Sequence, residues 1–290
     1  MSLAHGVGYA VQRTQKGMAL IAVLWIVAAL SILVAGMSQA VRGEARLVSS
    51  ARQIVVASAL GDAAIHLVLQ AMVASAEPLT RLATVQTRYQ GLEIAVQILP
   101  LNGLIDINSA PEPLLARLFV LAGGAAPADA AVLAHAAVEL RAARGAQGRA
   151  QGFEAQEDLL RVPGLDYDLY ANIAPLVTAD QAGSGRVNPM AAPEGVLAVL
   201  ADGNVALAAS IAAERSAGGS AIDTTTLTGD YIDSAATRRF QLQARVPLPD
   251  GGWVLVSRSV DLRAAAQGGL PWRTFRAEQR LEPRPSTPSS

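Results

Sequence analysis

The chain is 290 residues long, 51% hydrophobic and 16% charged, with 23 basic against 24 acidic residues and a formal net charge of -1. It has no cysteine, which excludes a disulfide or cysteine-zinc framework, and its balanced charge gives no electrostatic bias toward nucleic acid. Its three histidines are His5 ahead of the first apolar run, His66 in a helical stretch and His135 in an alanine-rich helix without a nearby carboxylate pair; with no Gly-x-Ser-x-Gly elbow or phosphate-binding loop, nothing points to catalysis.

The first element is the uncharged run of 24 residues from Met18 to Val41. As a helix it rises roughly 36 Å, which predicts one transmembrane segment over 18–41. Arg13 and Lys16 precede it; by the positive-inside bias they stay cytoplasmic and the rest of the chain crosses the membrane. A cleaved signal peptide is the competing reading, with small residues from Ala35 to Ala40, although such peptides have apolar stretches of about 7–15 residues. Processing between Gly17 and Met18 is the third.

From Arg42 to about Ala76 the pattern stays helical, with Val55, Ala59, Ile65, Leu69 and Met72 at spacings that fit one face. Gly43 and Gly61 weaken that helix by about 1 kcal/mol each. Glu77-Pro78 ends it, since proline removes a donor and clashes with the preceding turn. Thr84 to Tyr89 and Leu92 to Leu99 then alternate as two strands around Gln90-Gly91.

The segment from Gly103 to Leu118 recurs without gaps 82 residues later, from Gly185 to Leu200, with seven of 16 positions identical. Both copies read as a turn followed by a helix that opens with Pro and Glu, which suits the positive end of the helix dipole. Ser109 is the expected N-cap of the first helix, and Ala191 at the matching position cannot cap through its side chain.

Between the copies, Ala128 to Ala143 reads as a helix and Gly145 to Gly152 as a linker. The stretch from Gln156 through Val162-Pro163-Gly164 resembles a helix-hairpin-helix unit. Nucleic-acid-binding versions aim backbone N–H groups at a phosphate, and here Asp166 and Asp168 occupy that place, which argues against DNA. Strands return at Phe240 to Val246 and Trp253 to Leu262 around Pro247 to Gly252, with a further edge strand at Trp272 to Glu278. From residue 282 onward Pro, Ser and Thr dominate, which predicts a disordered tail. Asp223, Asp230 and Asp233 offer hard oxygen ligands for calcium on the loop before these strands; as a solvated acidic loop the stretch needs no ion.

Lys16-Gly17 followed by Met18-Ala19-Leu20-Ile21-Ala22-Val23-Leu24-Trp25 resembles a type IV prepilin leader, cut after the glycine and methylated at the new terminus. Most of that class carry Glu at the fifth mature position, where this chain has Ala22. An apolar residue there, the anchor sequence and the length make the chain similar to the K-type minor pseudopilins of the type II secretion system. The resemblance implies an α+β, pilin-like fold: a long N-terminal transmembrane and amphipathic helix, an antiparallel sheet, and a large all-helical insertion of helix-hairpin-helix or SAM-like character. The expected organisation is leader 1–17, transmembrane segment 18–41, pilin-like domain 42–101 and 218–281, insertion 102–217 and tail 282–290.

The resemblance also implies a non-catalytic subunit at the pseudopilus tip. Its partners would be I- and J-like minor pseudopilins, the major pseudopilin, the prepilin peptidase, the inner-membrane secretion platform and inner-membrane lipid, with the C-terminal domain periplasmic. Calcium sites belong to the family, whose acidic Asp-Trp-x-Asp-like stretch is replaced here by His135-Ala136-Ala137-Val138-Glu139-Leu140. The rival class is a single-pass periplasmic module that binds nucleic acid or a secreted substrate through its helix-hairpin-helix units.

Overall fold

The computed structural model describes residues 15–75, 77–143, 151–181, 183–219, 222–262 and 270–283, and for 15–19 and 32–47 the backbone alone. The first element, α1, is one helix over Gln15–Ala74, which stops just ahead of Glu77-Pro78. The chain divides into two units, Met1–Val56 and Ala57–Ser290.

In the first unit the described side chains from Leu20 to Ser31 form an apolar run, with Leu20, Leu24 and Trp25 among its exposed large residues. Water does not favour such a surface, and a bilayer does. The expected span 18–41 extends beyond these side chains. Leu20–Ser31 is shorter than a span, and among the described residues the apolar stretch long enough to cross a membrane is Val48–Ala74. Its part in the second unit is a core helix, because Ala57, Ala64, Ile65, Val68 and Leu69 are buried there at one-face spacing.

The second unit is organised by a five-stranded antiparallel sheet: β1 (Ala83–Tyr89), β2 (Leu92–Pro100), β5 (Arg239–Pro247), β6 (Trp253–Asp261) and β7 (Arg273–Glu282), in the order β1-β2-β5-β6-β7. Ile94 and Val96 alternate on β2 with exposed or half-buried neighbours ahead of the buried run 98–100, and Phe240, Leu242, Ala244 and Val246 alternate in the same way on β5. Gly61 lets α1 lie close on this surface: a Cβ there would be 2.7 Å from a methyl carbon of Val256. Arg258 Nη2 reaches Asp62 Oδ1 at 2.7 Å and ties the helix to β6.

Pro100 pairs with Phe240 although 140 positions separate them. The intervening chain holds α2 (Glu112–Leu121), α3 (Pro127–Ala142), α4 (Tyr167–Ile173), α5 (Glu194–Leu200) and α6 (Val205–Ser216), with a two-stranded parallel pair, β3 (Ile105–Asp106) and β4 (Val177–Thr178). Ile105, Ile107, Leu114, Leu118, Phe119 and Leu197 are fully buried in its core; each such side chain contributes about 1.5–3 kcal/mol.

Four expectations need correction. Ser109 does not cap α2. Its hydroxyl donates to Asp106 Oδ2, and Pro111 stands at the cap position, where it has no side-chain acceptor to offer. The last strand runs Arg273–Glu282 and takes in Glu282, whereas Trp272 is buried against His66. His135 has two carboxylates near it, Glu112 at 3.3 Å and Glu139 at 3.4 Å, brought there by the approach of α2 and by one helical turn. The contacts of the insertion also continue beyond Ala217: Leu227 is buried in its core, and Thr228 N donates to Leu200 O. The remaining tail positions, 284–290, and the leader residues 1–14 lie outside the described residues.

Candidate functional site

Gly17 and Met18 fall within the backbone of α1, and Ala22 lies in the exposed run Leu20–Ser31.

The two sequence copies occupy equivalent settings in the insertion. Asp106 Oδ1 accepts a hydrogen bond from Asn108 N at 3.0 Å, and Asn188 Oδ1, at the matching position, accepts from Met190 N at 3.0 Å. Each side chain thereby closes a local turn that leads into a helix. Ile105 pairs in parallel with Val177, and its counterpart Val187 makes a parallel bridge with Ile232.

The copies also hold each other. A Cβ on Gly103 would lie 2.3 Å from the Ala191 carbonyl oxygen, and one on Gly185 would lie 2.1 Å from that of Ser109. Ala191 is the counterpart of Ser109, so each glycine abuts the turn of the opposite copy. Local spacing revealed the repeat but not this reciprocity.

Sequence reasoning missed two arginines. Arg141, in the last turn of α3, donates to Ile107 O at 2.9 Å. Arg215, in the last turn of α6, donates to Ala192 O at 2.6 Å, Met190 O at 3.3 Å and Pro189 O at 3.4 Å. Pro189 is the counterpart of Ile107, yet Arg141 comes 23 residues after Leu118 and Arg215 only 15 after Leu200, so a gapless comparison cannot align them. Burial lowers the pKa of both guanidinium groups, with Asp106 opposing the shift at Arg141. Burial raises that of Asp106, against hydrogen bonds from Ser109 and the N–H groups of Asn108 and Gly183. These charged groups are spent on holding main chain in place.

A second set of contacts joins the insertion to the sheet. Arg276 of β7 stands 3.4 Å from Asp180 and 3.5 Å from Glu157, while Arg239 of β5 bonds Asp261 at 3.0 Å and the Asp180 carbonyl. Asn188 Nδ2 donates to Thr80 O at 2.8 Å, and Leu82 N to Met190 O at 3.0 Å. Several neutral bonds and ion pairs thus resist hinging at this junction.

In the hairpin unit, Gln156–Arg161 is a 3-10 turn and Asp166 caps α4 by accepting from Leu169 N at 2.8 Å. Asp166, Asp168 and Asp129 line one depression of about 440 Å³ with Gly164, and among the described residues no cationic side chain lines it. A phosphate there would meet carboxylates.

Two of the calcium candidates are engaged in local hydrogen bonds. Asp223 Oδ1 accepts from the N–H and hydroxyl of Thr225, which lowers its pKa, and Asp233 accepts from Ser184 Oγ and Ala235 N. Asp230 lies in the 3-10 turn Gly229–Tyr231. Among the described residues no three His, Cys, Asp or Glu converge on a metal position.

No family model matches the sequence, and no curated protein does. Among solved structures, the chain is similar to one in the crystal structure of the GspK-GspI-GspJ complex from the enterotoxigenic Escherichia coli Type 2 Secretion System. They share 15% identity with a TM-score of 0.51, over 82% of this chain and 99% of the other. At that identity the similarity is one of fold, and the chain has the pilin-like α+β architecture: a long N-terminal helix, an antiparallel sheet and helices set between its strands.

Proposed function

We propose that the chain is a K-like minor pseudopilin, a non-catalytic structural subunit of a type II secretion pseudopilus. The observation that carries this reading is the shared fold with a chain of the GspK-GspI-GspJ complex, which extends over 82% of the sequence. The apolar run Leu20–Ser31 supports membrane anchoring, with the remainder periplasmic. The residues brought together in the second unit fix main chain rather than poise a nucleophile or base, which supports a structural role.

Geometry suggests how the subunit works. Apolar anchors of neighbouring subunits would pack together in the bilayer, and Ala22 cannot offer the carboxylate that most subunits carry there. A helical insertion clamped to the sheet by Arg239 and Arg276 would obstruct addition of another subunit above it. Both features suit the tip, with I- and J-like subunits and the major pseudopilin as neighbours, the prepilin peptidase as processing enzyme and the secretion platform as assembly site.

Mass spectrometry of membrane-extracted protein should find methylated Met18 as its first residue; an intact Met1 or a new end near Gln39 would overturn the reading. The rival nucleic-acid module requires salt-dependent oligonucleotide binding, which the carboxylate-lined hairpin disfavours.

A further inference from the structure

The two edges of the large sheet are unlike. On β7, Arg273, Arg276, Glu278, Arg280 and Glu282 put five charges into ten residues, and the β6–β7 pairing is irregular at Ser259 and Val260. Charge and irregularity are the usual protections of a free edge. On β1 the single charge is Arg88, and Thr84, Val85 and Thr87 favour extended pairing. The β1 side also borders an open groove of about 930 Å³, floored by Leu67, Val68, Ala71, Val85, Ile98 and Phe240. Leu67 and Val85 are 40% and 41% exposed, a cost that a solvent-facing groove keeps and a covered one removes.

Shape and charge select the occupant. Leu67 and Ala71 on α1 and Ser75 just past its end form an exposed row with four-residue spacing, small at its centre and end, which is a groove that the side-chain ridge of another helix can enter. The volume corresponds to about two turns of a helix 10 Å across. Arg88 and Arg238 stand on the rim, both exposed and with no ion pair among the described residues; the acidic residue of the lining is Glu77. The rim therefore favours a carboxylate-bearing partner.

We propose that the groove between α1 and β1 receives an amphipathic helix of a partner chain, with apolar residues toward Ala71 and Val85 and a carboxylate toward Arg88 and Arg238. The proposal rests on the pseudopilin reading and names the face through which that subunit would be held.

The absence of cysteine makes a direct test available. The full chain, in variants Ala71→Cys, Val85→Cys and, as control on the other edge, Arg280→Cys, is co-expressed with a full-length I-like pseudopilin bearing single cysteines stepped along its helices. Disulfides should form from Ala71→Cys and Val85→Cys at partner positions three or four residues apart, and not from Arg280→Cys. Arg88→Glu with Arg238→Glu should weaken the complex about tenfold at low salt. Co-purification with cross-links only from Arg280→Cys, with a two-residue period on the partner, or only between two copies of this chain overturns the groove proposal and leaves the pseudopilin reading standing. Failure of the unsubstituted chain to co-purify with the pseudopilin overturns both.

Discussion

Gly185 packs its α-carbon against the carbonyl of Ser109, in the turn of the other sequence copy, at a separation that leaves no room for a methyl group. Its φ of +78° adds a conformational requirement to the steric one. Gly91 has nearly the same φ, +80°, with nothing within 4 Å of a built Cβ. The pair separates two causes: Gly91→Ala should cost about 1 kcal/mol from backbone strain alone, and Gly185→Ala about 3 kcal/mol because overpacking is added. Chemical denaturation of both variants checks the difference, and equal losses would mean that the turns relax apart.

Asp106 carries a pH dependence with a definite sign. Its folded pKa is raised above the ordinary 3.8, so the unfolded chain ionises first. The contribution of Asp106 to stability is therefore fullest below pH 3.8 and is lost as pH rises through the elevated folded value. Asn188 shows that an amide serves the equivalent turn, since its Oδ1 accepts from Met190 N. Asp106→Asn should match the unsubstituted chain at low pH and gain relative stability as pH rises, then level off; melting temperatures across pH 3 to about 8 measure it.

Arg215 is 7% exposed and satisfies three carbonyls, whereas Arg141 reaches one. Arg215→Met should lose about 2–3 kcal/mol, since the carbonyls lose their donor while the apolar stem is retained, and Arg141→Met about 1 kcal/mol. Hydrogen exchange should localise the loss after Arg215→Met to residues 187–192. A loss spread evenly over the unit would contradict a local main-chain role.

Calcium should leave the protein unchanged. Asp223 and Asp233 are committed to Thr225, Ser184 and Ala235, and forming an ion site would break those bonds. The melting temperature in about 1 mM calcium should equal that in chelator, because ligand stabilisation follows the ratio of free ion to dissociation constant. A rise of several degrees, abolished by Asp233→Ala, would show that the loop rearranges.

Legibility followed the range of the interaction. The β1–β2 pair around Gln90-Gly91 and the β5–β6 pair could be read to within one residue and the ends of α1 to within three, because alternation, turn residues and proline act on neighbours. Ser109 misled because Asp106, three residues earlier, competes for its hydroxyl. His135 misled because Glu112 arrives from a different helix. The arginine pair was hidden by the unequal lengths of the helices that carry it.

By itself, the sequence determined the apolar run, the order and kind of the elements, and the existence of a repeat, since each depends on spacings of a few residues. Only the tertiary structure decided that Gly103 and Gly185 face opposite turns, that β2 joins β5 across the insertion, and that one sheet edge is charged while the other borders a groove. Those outcomes depend on close packing between residues tens of positions apart, where the local pattern is the same whichever partner is chosen.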